Sequence, residues 1–216
     1  MPTRIFRGLA LCLALLLLGA ALAGCTATTP GTTTTVPATT GAKPNPQVTY
    51  YADIVIRDYG TITIQLDATA APITVANFVK LAETGYYNGL TFHRIIANFM
   101  MQGGDIDGDG YSNGDKETIY GEFPANGWNN SLKHTRGAIS MARSNYANSA
   151  STQFFIVHQD APTLDGYYAV FGYVTQGIEV VDAVCAAARP VDDNGSITPE
   201  EQPVMTSVTI RTEPTA

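Results

Sequence analysis

Within nine positions the chain sets a guanidinium (Arg94), an aromatic ring (Phe99), a thioether (Met100) and a carboxamide (Gln102). They lie in the run Phe92-His93-Arg94-Ile95-Ile96-Ala97-Asn98-Phe99-Met100-Met101-Gln102-Gly103-Gly104-Asp105. A guanidinium donates hydrogen bonds in a fixed fork, and an aromatic ring beside a thioether makes an adaptable apolar wall. Together they suit an uncharged group with an apolar body and a polar carbonyl. The run contains no obvious nucleophile. None of the three histidines, His93, His134 and His158, reads as an acid–base catalyst.

The apolar residues between these groups suit strands, and the surrounding sequence agrees. Residues 50–57 and 61–66 are rich in β-branched side chains, and Ile62, Ile64 and Leu66 alternate with Thr61, Thr63 and Gln65. That alternation predicts a half-buried strand, and Asp58-Tyr59-Gly60 predicts the hairpin turn before it. A helix follows, with Pro72 in its first turn, an apolar stripe of Val75, Phe78, Val79 and Ala82, and Gly85 as its stop. Residues 91–95, 99–102, 137–141, 153–157, 169–174 and 204–211 predict further strands, and residues 178–187 a second helix. About eight short strands with two helices imply a mainly β fold, an antiparallel barrel or a sandwich.

The N-terminus predicts a secretory segment over residues 1–24. Arg4 and Arg7 precede an uncharged apolar run that ends in Leu22-Ala23-Gly24-Cys25. The run is short for a membrane span, which takes about 20 residues. A Cys directly after Leu-Ala-Gly resembles a bacterial lipobox, in which the Cys25 thiol carries a diacylglyceryl group. Residues 25–47 then form a lipidated, disordered tether. Its Thr- and Pro-rich stretch from Thr26 to Pro46 has only Lys43 charged and little to bury. Those residues reach at most ~70 Å extended and roughly 25 Å as a flexible coil. One domain, residues 48–216, remains.

The net charge of −7 becomes −9 once the removed segment takes Arg4 and Arg7 with it. Nucleic acid is therefore excluded as a partner, since phosphate binding needs a basic surface. Membrane attachment falls to the lipid alone. Of the three Cys residues, Cys12 leaves with the signal and Cys25 is lipidated, so Cys185 has no disulfide partner.

Several ordered blocks resemble the cyclophilin-type peptidyl-prolyl isomerases. They are Phe92 to Asp105, Ile119-Tyr120-Gly121-Glu122, Leu132-Lys133-His134-Thr135, Gly137 to Ala142, Ser151 to Ile156, Leu164-Asp165-Gly166 and Val170-Phe171-Gly172. The resemblance covers about residues 48–212. It implies a closed eight-stranded antiparallel barrel capped by two α-helices, a monomer without cofactor or metal, and X-Pro-containing polypeptide clients. It also implies roles. Arg94, Gln102 and Phe99 would be catalytic. Met100, Phe155 and Leu164 would line the proline pocket with Phe99. Gln153, like Gln102, would bond the substrate backbone and hold Arg94. Ala142 and Arg143 would lie along the residues before proline, where Arg143 favours acidic groups. His93 and His134 fall at structural positions.

The chemistry demanded is modest. Amide resonance sets a barrier of ~18–20 kcal/mol, and uncatalysed X-Pro exchange takes tens to hundreds of seconds. Turnover at roughly 10–10³ per second needs about 4–7 kcal/mol of relief. The site must bind the twisted amide more tightly than the planar one. Arg94 can donate to the pyramidal proline nitrogen and to the carbonyl, but one charge-assisted bond contributes only ~1.5–3 kcal/mol. Orientation and a preorganised environment must supply the rest.

Two positions depart from the family pattern. Thr163 stands where a tryptophan often precedes Leu-Asp-Gly, and Tyr168 stands for a frequent histidine. The first predicts weak cyclosporin binding, and the second keeps an aromatic wall. The loop Asp105-Ile106-Asp107-Gly108-Asp109-Gly110 resembles part of a calcium loop, but its twelfth position is Lys116, so it reads as a turn. Asp192-Asp193-Asn194-Gly195 also reads as a turn. A binding module that holds proline segments without turning them over is the competing reading. Retention of Arg94 with the complete pocket set argues for the enzyme. A calcium-dependent adhesion domain rests only on the Asp105 loop.

Overall fold

The computed structural model describes residues 44–45, 47–111 and 116–215. The expected signal segment, Cys25 and most of the expected tether lie outside the described residues. Among the described residues, no helix is long and apolar enough to cross a membrane.

Eight strands and two helices follow the expected order. They are β1 (Val48–Ile56), β2 (Gly60–Leu66), α1 (Pro72–Glu83), β3 (Thr91–Ile96), β4 (Met100–Asp105), β5 (Ala138–Met141), β6 (Phe154–Val157), β7 (Val170–Gln176), α2 (Ile178–Ala187) and β8 (Met205–Pro214). The strands form one sheet in the order β3-β4-β6-β5-β7-β2-β1-β8. Every pairing in it is antiparallel. The two outermost strands meet at one corner. There Thr91 bridges Val204, and Phe92 and Met205 donate to the carbonyls of Pro203 and Leu90. The curl closes through this short seam and not through a full ladder.

The sequence explains the elements locally. Ile62, Ile64 and Leu66 bury one face of β2, and Asp58 takes a left-handed φ of 66° in the turn before it. Helix α1 opens on Pro72 and buries Val75, Phe78, Leu81 and Ala82. Its own N-cap residue, Ala71, makes no side-chain cap. Glu122 supplies one from elsewhere in the chain. Its carboxylate oxygens accept the Ile73 and Thr74 N–H groups at 2.9 and 2.7 Å. Burial pushes this carboxyl above its ordinary range, and the two helix N–H bonds oppose that rise. Phe78 is the centre of the main core, with ring centroids of Tyr87, Phe171 and Phe154 at 5.1, 5.4 and 5.5 Å. Cys185 on α2 is buried, and burial pushes its thiol up to about 12, so it packs as an inert core side chain.

The period-2 alternation of β4 and β6 produces the site. Met101, Phe154 and Ile156 enter the main core. Their neighbours Met100, Phe155 and Val157 point to the other face and form a second, smaller cluster, with Phe99, Leu164 and Tyr168 at its margin. Burying each such side chain contributes about 1.5–3 kcal/mol, so the sheet is apolar on both faces here.

Candidate active site

One row of the sheet carries the polar half of the site. Arg94 on β3 is opposite Gln102 on β4, Gln102 opposite Phe155 on β6, and Phe155 opposite Ser140 on β5. Register therefore fixes a cation, an amide, a ring and a hydroxyl side by side on one face.

The Arg94 guanidinium is held at two of its three nitrogens. Nε donates to the Asn194 carbonyl at 2.7 Å, and Nη1 donates to Gln102 Oε1 at 3.3 Å and lies 3.8 Å from Met100 Sδ. Among the described residues, no acceptor is bonded to Nη2. Burial lowers the Arg94 pKa, and the nearby Tyr168 and Asp192 oppose the fall.

Beside it lies a cavity of about 140 Å³ lined by Arg94, Phe99, Met100, Gln102, Ala142, Arg143, Phe155, Leu164 and Tyr168. The structure thus brings together all the expected pocket residues except Gln153. That residue sits one step back. Its Oε1 accepts from Gln102 Nε2 at 2.9 Å, and its Nε2 donates to the Gly110 carbonyl at 3.1 Å. Gln153 reaches Arg94 through Gln102 and does not line the cavity.

The walls are braced from behind by a buried network. His134 stacks on Phe155 at 5.9 Å and 13°. Its Nδ1 is 3.0 Å from Asp165 Oδ1 and its Nε2 is 3.1 Å from Ser140 Oγ. Burial lowers the His134 pKa, and Asp165 opposes that. The neutral ring donates from Nδ1 to Asp165 and accepts the Ser140 hydroxyl at Nε2. His134 is thereby a structural residue, as its motif position implies. Arg143 closes the opposite rim, its guanidinium carbon 4.6 Å from the centre of the Tyr168 ring.

The larger groove of the fold, about 390 Å³, lies near Leu66, Asp67, Thr69 and Tyr173. Among the described residues no cation lines it, and Asp67 is committed to capping its own turn through the Thr69 and Ala70 N–H groups. Asp105 is similarly occupied. It is buried and accepts the Asp109 N–H at 3.0 Å and the Gly110 N–H. Among the described residues, no group of three Asp, Glu, His or Cys side chains could hold a metal ion.

Three functional contacts escaped the sequence reading: the Asn194 carbonyl on Arg94, the Ser140 hydroxyl behind Phe155, and the Phe123 ring 5.0 Å from Arg143. The Asp-Asp-Asn-Gly turn was visible as a turn, but its partner lies 100 residues away.

The arrangement offers a donor fork facing an apolar ring-sized pocket. It can hold a proline ring and donate to an amide nitrogen or carbonyl as the peptide twists. Relatives carry the same reaction in their names. Peptidyl-prolyl cis-trans isomerase B of Bacillus subtilis is 45% identical over 125 residues, which cover 58% of this chain and 83% of the relative. Peptidyl-prolyl cis-trans isomerase-like 2 of Rhizopus delemar is 41% identical over 140 residues, 64% of this chain, but this match spans only 25% of that longer protein. The crystal structure of a Cryptosporidium parvum cyclophilin-type isomerase superposes with a TM-score of 0.65 at 27% identity, covering 77% of this chain and 99% of that one. The same protein crystallised with the dipeptide Ala-Pro gives 0.62 at 29% identity, covering 76% and 99%. The family model for cyclophilin-type peptidyl-prolyl cis-trans isomerases matches residues 51–211. With that match on the same residues that build the pocket, the chain belongs to the cyclophilin-type peptidyl-prolyl cis-trans isomerase family.

Proposed function

We propose that this isomerase accelerates X-Pro exchange in exported polypeptides as they fold, from an anchor on a bacterial membrane outside the cytoplasm. The anchor is the lipid on Cys25, and the Thr- and Pro-rich tether gives the domain its reach. The support for this location is the sequence Leu22-Ala23-Gly24-Cys25 after a charged and then apolar start. Two acyl chains on one Cys suffice for stable attachment where a single chain does not.

The observation that carries the catalytic reading is the state of Arg94. Its Nε is fixed on the Asn194 carbonyl while Nη2 has no bonded acceptor among the described residues, beside the apolar walls of Phe99, Met100, Phe155 and Leu164. A fork held this way pays little reorganisation when the amide twists, and its hydrogen bond strengthens as the proline nitrogen becomes pyramidal. No covalent bond breaks and no proton moves.

The test is a cis–trans exchange assay on an X-Pro peptide with the purified chain and with Arg94→Ala. Loss of a charge-assisted bond of ~1.5–3 kcal/mol corresponds to a drop of roughly 10- to 150-fold. No acceleration by the unaltered chain would reject the enzyme, and an undiminished rate in Arg94→Ala would reject this mechanism. For the anchor, a tagged fatty acid fed to cells should label the chain and fail to label Cys25→Ser.

A further inference from the structure

We propose that the turn Asp192–Ser196 is the positioning element that aims Arg94, with Asp192 as its key side chain. The inference rests on Arg94 being the catalytic residue. The turn is built by Asp192. Its Oδ1 accepts the Ser196 N–H at 2.9 Å, its carbonyl accepts the Gly195 N–H at 3.1 Å, and Val191 N–H closes on the Ser196 carbonyl at 2.9 Å. The turn is then bonded to β3 on both sides of Arg94. Ile95 donates to the Gly195 carbonyl at 2.8 Å, and Ile197 donates to the His93 carbonyl at 2.9 Å. Between these two bonds the Asn194 carbonyl receives Arg94 Nε at 2.7 Å.

Gly195 makes this approach possible. It holds φ at +87°, and a Cβ there would press on the Ile96 side chain and lie 2.8 Å from the Ile95 carbonyl oxygen. A side chain at that position would lift the turn from the strand. The Arg94 fork has three nitrogens. With Nε held by Asn194 and Nη1 by Gln102, the plane of the guanidinium is set, and Nη2 is the edge left for substrate. Asp192 does not line the pocket. It acts on Arg94 through the carbonyl two residues on, and its own charge lies near enough to favour the guanidinium.

The proposal separates from plain loop stability by a double-mutant cycle with kinetics. In the purified chain, Asp192→Ala should lower kcat for an X-Pro peptide about five- to tenfold while KM moves less than twofold. Asp192→Asn keeps an oxygen for the Ser196 N–H and should stay within about twofold of the unaltered chain. In an Arg94→Ala background, Asp192→Ala should cost nothing further, because the residue it positions is gone. An undiminished kcat in Asp192→Ala would overturn the proposal, as would the same proportional loss with and without Arg94. If Arg94→Ala alone keeps full rate, the catalytic reading fails first, and that result is distinct from either.

Discussion

Arg143 lies over Tyr168, guanidinium carbon to ring centre 4.6 Å, with Nε and Nη2 both donating to the Tyr167 carbonyl at 2.9 and 2.8 Å. Its Nη1 donates to the Ser144 carbonyl at 2.9 Å. All these acceptors are neutral. Among the described residues, no ion pair involves Arg143 or Arg94. The pocket rim therefore keeps two cations with no ion pair among the described residues, in a chain of net charge −7. An acidic side chain on the Arg143 side of the bound proline should be preferred over a basic one. An exposed pair contributes up to about 1 kcal/mol, so kcat/KM for Glu- and Lys-flanked peptides should differ by about two- to fivefold. The ratio should fall toward one in Arg143→Gln and at high salt, as read by exchange NMR.

Cyclosporin should inhibit weakly. Thr163 is exposed on the short turn Pro162–Leu164 and is not part of the pocket lining, so it offers no indole surface beside Leu164. Thr163→Trp should tighten inhibition at least tenfold while leaving peptide turnover within twofold. Tight binding by the unaltered chain would refute this.

Glu122 caps α1 from 49 and 48 residues away. Glu122→Ala would strand two helix N–H groups and should cost about 2 kcal/mol, seen as a fall of roughly 4–8 °C in melting temperature. Glu122→Gln keeps one acceptor and should cost about half as much. Activity at low temperature should change little in either, since neither oxygen touches the pocket.

Acid should destabilise the chain through His93 and His134. His93 is buried, neither ring nitrogen has a hydrogen-bond partner among the described residues, and burial lowers its pKa from 6.5 with Asp105 opposing. His134 is lowered by burial as well. A histidine whose folded pKa is depressed binds its proton more readily when unfolded. Stability is therefore whole above about pH 6.5 and declines as pH falls below it. Glu122, raised by burial, works the other way, gaining stability as its carboxyl takes up a proton. The melting temperature should drop between pH 7.5 and 5.5, and His93→Leu should shrink that drop.

The legible parts of the sequence were those whose information is local or periodic. Helix α2 falls on the expected residues 178–187, and the strands fall within a few residues of their expected spans. The pocket side chains were legible because Met100 and Phe155 sit in motifs and because alternation puts them on the face opposite Met101 and Phe154. What stayed hidden was the pairing of distant pieces. Glu122 was visible in its block, but its partners Ile73 and Thr74 were not. Gln153 was read as bonding the substrate backbone and holding Arg94; it reaches Arg94 through Gln102, and a motif does not tell which of two hydrogen-bonded amides lines the cavity.

The register of β1 sets a limit on how this protein is made. Tyr51 pairs with Gln65 on one side and with Arg211 on the other. The second neighbour comes from the final strand, whose ten residues end at Pro214. Until they arrive, β1 presents an open edge able to pair with another chain. The seam that joins the two outermost strands also waits for residues 203–205. Such distant pairing folds on millisecond-to-second scales. The edge of β1 thus stays open to other chains until β8 has paired with it.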